Sequence, residues 1–163
     1  MEDISTYISK SLSIDNQYIY ETGETYTLGE KYKFAIFRFN DFDLDEAFKT
    51  SDKGGLYCFT TECLFADIRL ETGCYTKAKR VHSLFYLGKT DNFSTRQFDN
   101  HEHFDKFKAL KISNDKKFLG IYICKKEEDP KDIESEILGI YNFEDNVSEN
   151  KHKEDCPMTI QEN

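Results

Sequence analysis

Two tyrosines, a lysine, an arginine and a glutamate are the side chains in this sequence best suited to chemistry. Tyr57 lies in "GLYCF", Tyr86 lies in "LFYLGKT" just ahead of Gly88 and Lys89, and Arg96 and Glu134 come later. In Leu84–Thr90 an apolar run stops at a glycine and delivers a cation to the surface. A hydroxyl, a bare backbone and an ammonium in a row suit an anion such as a phosphate. The same stretch also reads as a strand leaving the core through a glycine turn, and alone it does not decide between the two. The other residues have ordinary readings as well. The tyrosines fit core positions with satisfied hydroxyls, and Arg96 could pair with Asp91 or Asp99. Glu134, like Asp132, would favour a helix N-terminus.

The elements that must position these residues follow from patterning. Residues 1–30 are polar and tyrosine-rich, with a short helix near Ile4–Leu12 and turns around Gly23 and Gly29. "KYKFAIFRF", Lys31 to Phe39, is aromatic and β-branched enough for a strand. "NDFDLDEAF" is a polar loop or one helical turn, capped by Asp43 or Asp45. Gly54 to Thr61 is a second strand, carrying Tyr57. "ECLFADIRLETG" places Leu64 and Ile68 on one helical face, with Gly73 as the stop. "HSLFYLG" is the next strand. "NFSTRQFDNHEHFDKFKAL" predicts a helix broken near Asp99-Asn100. Lys116 to Cys124 is a strand. "DPKDIESEILGIYNF" is an amphipathic helix, with Pro130 early, acids in its first turn and Ile133, Ile137, Leu138 and Tyr141 on one face. Glu134 then sits at the edge of that face, between core and solvent. The sum is an α/β (α+β) domain with a small mixed, mainly antiparallel sheet and helices packed on it.

Composition bounds the rest. A chain of 163 residues suits one domain with elaborations, and 15% aromatics suffice for one core despite a lean apolar share. No apolar run approaches the ~20 residues a membrane helix needs, and the acidic start "MEDISTYISK" is not a secretory signal. Five cysteines (Cys58, Cys63, Cys74, Cys124 and Cys156) without a CxxC pair argue against a disulfide framework or zinc knuckle. They fit buried thiols in a reducing cytoplasm. The net charge of −9 by itself disfavours nucleic acid, but it is unevenly spread. Residues 1–52 hold 5 basic and 11 acidic side chains, residues 53–124 hold 12 and 8, and residues 125–163 hold 5 and 12. Tyr57, Tyr86, Lys89 and Arg96 all fall in the one basic segment, and a local patch matters more for binding phosphates than the total.

Taken in order, "GLY", "YLGKT", Arg96 and "ESEILGIYNFEDN" resemble the GIY-YIG endonuclease family over residues 54 to 146. Leu56 and Leu87 replace the isoleucines of the two strand motifs. Lys89-Thr90 fits what commonly follows the second, and Glu134, Ile137, Leu138, Tyr141 and Asn146 fit the last motif. Two departures stand out. The strand motifs are separated by "TTECLFADIRLETGCYTKAKRVHS", an insert comparable to that of some restriction enzymes resembling this family. One helical turn after the arginine, where the family often has a histidine or tyrosine, stands Asn100. A one-residue shift or a broken helix would bring His101 into the site; otherwise His101 faces solvent.

The resemblance implies phosphodiester hydrolysis. Glu134 would hold one divalent ion, Mg²⁺ or else Mn²⁺, with most of its waters retained. The ion would neutralise phosphate charge and stabilise the leaving 3′ oxygen. Tyr57 would be the general base or orient the water; its ordinary pKa of ~10 is too high, and the Lys89 cation would lower it. Tyr86 would position the water or a phosphate oxygen, Gly88 would let the substrate backbone approach, and Arg96 would clamp the scissile phosphate with its fork of donors. Asn146 belongs to the substrate-binding set or, better, holds the glutamate helix in place.

Three readings follow. The first is a metal-dependent DNA endonuclease, such as a restriction or phage-defence enzyme, with duplex DNA as partner. Residues 1–53 and the insert at 61–83 would then recognise the target, with Lys77, Lys79 and Arg80 touching the backbone, and residues 147–163 would be a polar acidic tail. Cutting both strands would require a homodimer or two successive events. The second is a catalytically inactive module of the same fold that binds nucleic acid or protein. The third, an acidic mimic of DNA, is opposed by the basic middle segment.

Overall fold

A computed structural model describes Ile8, Lys10, Leu12 and residues 17–65, 68–69, 74–75, 79–146, 158–159 and 161–162. The elements are β1 (Ile19–Leu28), β2 (Tyr32–Phe39), α1 (Leu44–Ala47), β3 (Gly55–Phe65), β4 (Ile68–Arg69), β5 (Cys74–Tyr75), β6 (Lys79–Thr90), α2 (Glu102–Lys108), β7 (Lys117–Ile123), α3 (Pro130–Leu138), β8 (Met158–Thr159) and β9 (Gln161–Glu162). A 3₁₀ turn at Asn114–Lys116 leads into β7. The main sheet runs β8-β6-β3-β7-β2-β1-β9, and β4 and β5 form a small ladder of their own. Every described pairing is antiparallel. The domain is therefore α+β with an antiparallel sheet, and both strands from residues 1–53 belong to that sheet.

Strand β3 is the spine, paired with β6 on one side and β7 on the other. Because successive side chains alternate across a strand, Tyr57 and Phe59 face one layer and Leu56 and Cys58 the other. The first layer packs Phe48, Phe98, Phe104 and Phe107 against the sheet. The second packs Ile133, Ile137 and Leu138 of α3, with Phe143. Phe59 alone stacks on Phe104 and Phe107, each at 5.1 Å between centroids. Fully burying one such ring contributes about 1.5–3 kcal/mol. In β6 the register slips at Phe59/Thr60, because Tyr86 faces Phe59 while Leu84 faces Thr60. The extra residue, Phe85, joins Tyr86 in the first layer, while Leu84 and Leu87 go to the second. This bulge aims Tyr86 toward the Tyr57 side of the sheet.

Two segments ahead of β6 differ from the patterning. Leu64 and Ile68 suggested a helix from Glu62, yet β3 continues to Phe65, opposite Lys79. Backbone pairing with β6 extends an existing ladder and outweighs a weak helical period. The polar stretch 19–28 is a strand, interrupted by a register shift between Glu21 and Thr25, where Gly23 takes a positive φ of 81°. That bulge hides the alternation from a pattern search.

Candidate active site

Tyr57 is buried, 1% exposed, with its ring edge-on to Phe98 at 5.0 Å. Gly88 lies directly opposite on β6. A Cβ built on Gly88 would overlap the Tyr57 ring and hydroxyl. Gly88 thus makes room for Tyr57, which corrects the expectation that it lets a substrate backbone approach.

The loop after β6 brings a cation to the Tyr57 hydroxyl. Asn92 accepts bonds from the backbone N–H and hydroxyl of Ser94, and its carbonyl accepts from the Arg96 N–H. The Asp45 carboxylate then receives the N–H groups of Phe98 and Asp99 at 2.7 and 2.9 Å. Asp43, and not Asp45, caps α1 through the Glu46 N–H. So fixed, Arg96 donates from Nε to the Tyr57 hydroxyl at 3.0 Å, with its guanidinium 5.8 Å from that ring's centroid. Asn100 follows with φ 64°, a left-handed turn that asparagine tolerates. It starts α2 afresh at Glu102, so residues 93–98 are not helical as expected.

His101 is the N-cap of α2. Its Nδ1 accepts the Phe104 N–H at 3.2 Å, so the neutral ring carries its proton on Nε2. That nitrogen lies 3.1 Å from the Tyr57 hydroxyl and donates to it. Burial first, then the charges of Arg96 and His103, push the imidazole down to about 4, which keeps it neutral at pH 7. His101 therefore joins the site through the broken helix, and is 8% exposed rather than facing solvent.

The Tyr57 hydroxyl accepts from Arg96 and His101. Burial raises its pKa; the charge and hydrogen bond of Arg96 oppose the rise, Glu134 adds to it, and hydrogen bonding from Tyr86 opposes it again. The expectation that Lys89 supplies the cation is corrected: Arg96 does. Lys89 instead forms an ion pair with Glu134, Nζ to Oε1 at 3.2 Å.

Glu134 sits in α3, which begins at Pro130 behind an Asp129 cap. Its side chain is 18% exposed and that of Lys89 is 43%. Among the described residues no group of three or more His, Cys, Asp or Glu side chains is placed to share a metal. One carboxylate beside a half-exposed, displaceable ammonium nevertheless fits an ion such as Mg²⁺, which retains waters and takes its remaining ligands from substrate phosphates.

Asn146 is buried, 5% exposed. Its Oδ1 accepts the Leu87 N–H at 2.9 Å and its Nδ2 donates to the Leu87 carbonyl at 3.1 Å. It tethers the chain after α3 to β6, so its place in a substrate-binding set is corrected to a structural one. Lys77 lies outside the described residues. Lys79 and Arg80 are on β6, opposite Phe65 and Leu64.

Tyr86, Arg96, His101 and His103 line an open cleft together with Gln97 and Asn100, and two acidic residues, Asp99 and Glu102, line it as well. A second cleft, lined by Asp41, Asp43, Asp45, Glu46 and Asp99, is too acidic to suit a phosphate. No local pattern pairs His103 with Asp145: they are 42 positions apart, yet His103 Nδ1 meets Asp145 Oδ2 at 2.6 Å. No family model, curated protein or solved structure matches this chain.

Proposed function

We propose that this protein is a metal-dependent endonuclease that hydrolyses DNA phosphodiester bonds with GIY-YIG-type chemistry, in a restriction or phage-defence role. The observation that carries this reading is the Tyr57 hydroxyl, which receives hydrogen bonds from Arg96 and His101 at 3.0 and 3.1 Å. Donors converging on one phenol oxygen favour its ionised form, and nothing in ordinary core packing calls for a guanidinium there.

In this reading Arg96 binds the scissile phosphate with its terminal nitrogens while its Nε holds Tyr57. Tyr57 takes the proton of the attacking water, and the Arg96 charge offsets part of the cost that burial imposes on the phenolate, whose pKa stays above the ordinary tyrosine value. Neutral His101 donates to the same oxygen without adding a competing base. Tyr86 borders the cleft and orients water or a phosphate oxygen. Glu134 would hold the divalent ion, which when bound neutralises charge on the phosphoryl oxygens. Lys89 must then release Glu134 and becomes free to meet the substrate.

The second reading, an inactive module that binds nucleic acid or protein, draws on one observation: the Lys89 ammonium already occupies Glu134. Incubation of purified protein with duplex DNA separates the two. The endonuclease cuts with Mg²⁺ or Mn²⁺, stops with EDTA, and loses cleavage but keeps binding in Glu134→Gln. Binding with no cleavage under any divalent ion supports the inactive module.

A further inference from the structure

A second imidazole serves the same cleft. The His103 ring stacks on Tyr86 with centroids 4.0 Å apart and planes within 13°. Its Nδ1 lies 2.6 Å from Asp145 Oδ2. Asp145 is itself held: its side chain is 12% exposed, Lys106 Nζ sits 3.5 Å from Oδ1, and its backbone N–H donates to the Phe85 carbonyl at 2.7 Å. Because Asp145 accepts from Nδ1–H, the edge of the ring carrying Nε2 is left for the cleft, which His103 lines with Arg96 and His101.

The two histidines are built for different work. His101 receives a backbone N–H on Nδ1 and lies buried, which favours the neutral ring. His103 has a carboxylate on Nδ1, which fixes the ring's orientation and turns Nε2 to the cleft. The His103 side chain is 31% exposed, so water can return a proton to it after each turnover. Their rings are 5.6 Å apart, close enough to attend one phosphate.

We infer that His103, oriented by Asp145, is the general acid that protonates the leaving oxygen; this rests on the hydrolase reading above. In the step, the water oxygen bonds to phosphorus as its proton passes to the Tyr57 phenolate. The P–O3′ bond breaks, its electron pair stays on the 3′ oxygen, and that oxygen takes the proton from His103 Nε2. His103 is left neutral and regains a proton from solvent, while Tyr57 releases the one it took. Arg96 keeps its charge throughout.

The test compares two synthetic duplexes that carry a cleavage position first mapped with the wild-type protein. One has the ordinary 3′ oxygen at that position and the other has sulfur in its place. A thiol has a pKa of about 8.5, so sulfur departs as thiolate without a proton donor. Two variants are used. His103→Gln removes the imidazole, and His103→Asn keeps an amide near the Nδ1 position for Asp145 while removing Nε2. Both are expected to slow single-turnover cleavage of the oxygen duplex by roughly 10²–10⁴-fold and to leave the sulfur duplex near the wild-type rate. Equal slowing of both duplexes, or an undiminished rate on oxygen, overturns the assignment while the nuclease reading stands. A wild-type protein that cuts no DNA at all overturns both.

Discussion

Arg96 Nε lies 3.0 Å from the Tyr57 hydroxyl although the two residues are 39 positions apart. The contact joins the central strand to the loop that follows β6, and it sets the electrostatics of the cleft. Burial raises the Tyr57 pKa while the guanidinium pulls it back. Removing the guanidinium should therefore drive the phenol's ionisation further up. For Arg96→Gln the acid limb of the pH–rate profile is expected to move to higher pH, with a rate loss of roughly 10²–10³-fold. Lys89→Met should leave that limb nearly in place, because Lys89 pairs with Glu134. A shift in Lys89→Met and none in Arg96→Gln would return the role to the lysine.

His101 links the site to stability. Its ring is held down to about 4, against about 6.5 in an unfolded chain. Between these values the unfolded chain binds a proton that the native state refuses, so stability falls as pH drops from about 6.5 toward 4. The loss is on the order of 2–3 kcal/mol. His101→Asn keeps a cap for the Phe104 N–H but removes the titrating ring. Thermal unfolding at pH 7 and pH 5 should show a smaller acid loss for this variant than for the wild type. Parallel losses would mean that the ring is not proton-poor in the native state.

Much of this arrangement was legible in the residues themselves. Strand β7 and helix α3 follow from aromatic and β-branched runs, an early proline and a clear apolar face. The sequence named Tyr57, Tyr86 and Arg96 from three separate stretches, and the fold sets Arg96 on the Tyr57 hydroxyl and Tyr86 beside the Tyr57 ring. What escaped is what long-range pairing decides. Residues 62–65 have a helical period but are taken up by the β6 ladder. The partnership of His103 with Asp145 leaves no local trace, since helix α2 and the loop after α3 meet only in the folded chain. Gly88 looked like an opening for substrate, and only the opposite strand reveals that Tyr57 fills the space.

Gly88→Ala tests that last relationship. The added methyl would overlap the Tyr57 ring, so the ring or the strand must shift. A destabilisation of about 1–3 kcal/mol is expected, together with loss of cleavage, in denaturant unfolding and activity assays. An unchanged midpoint and rate would show that the ring has room to move.

Asn146→Ala removes two hydrogen bonds to the Leu87 backbone and leaves buried groups unpaired. A stability loss of about 2–4 kcal/mol is expected from two such bonds. Because Asn146 does not face the cleft, DNA affinity measured well below the unfolding temperature should stay within about twofold of wild type. A large loss of affinity in a folded variant would put Asn146 back among the residues that touch substrate.

The account turns on the Tyr57 hydroxyl, and one comparison tests it most directly. Cleavage of duplex DNA with Mg²⁺ is measured for the wild type and for Tyr57→Phe, which removes a single oxygen from a ring that stays buried. The account predicts cutting by the wild type and a rate at least about 10²-fold lower for Tyr57→Phe across the pH range, with DNA binding retained. A Tyr57→Phe protein that cuts as fast as the wild type would contradict it.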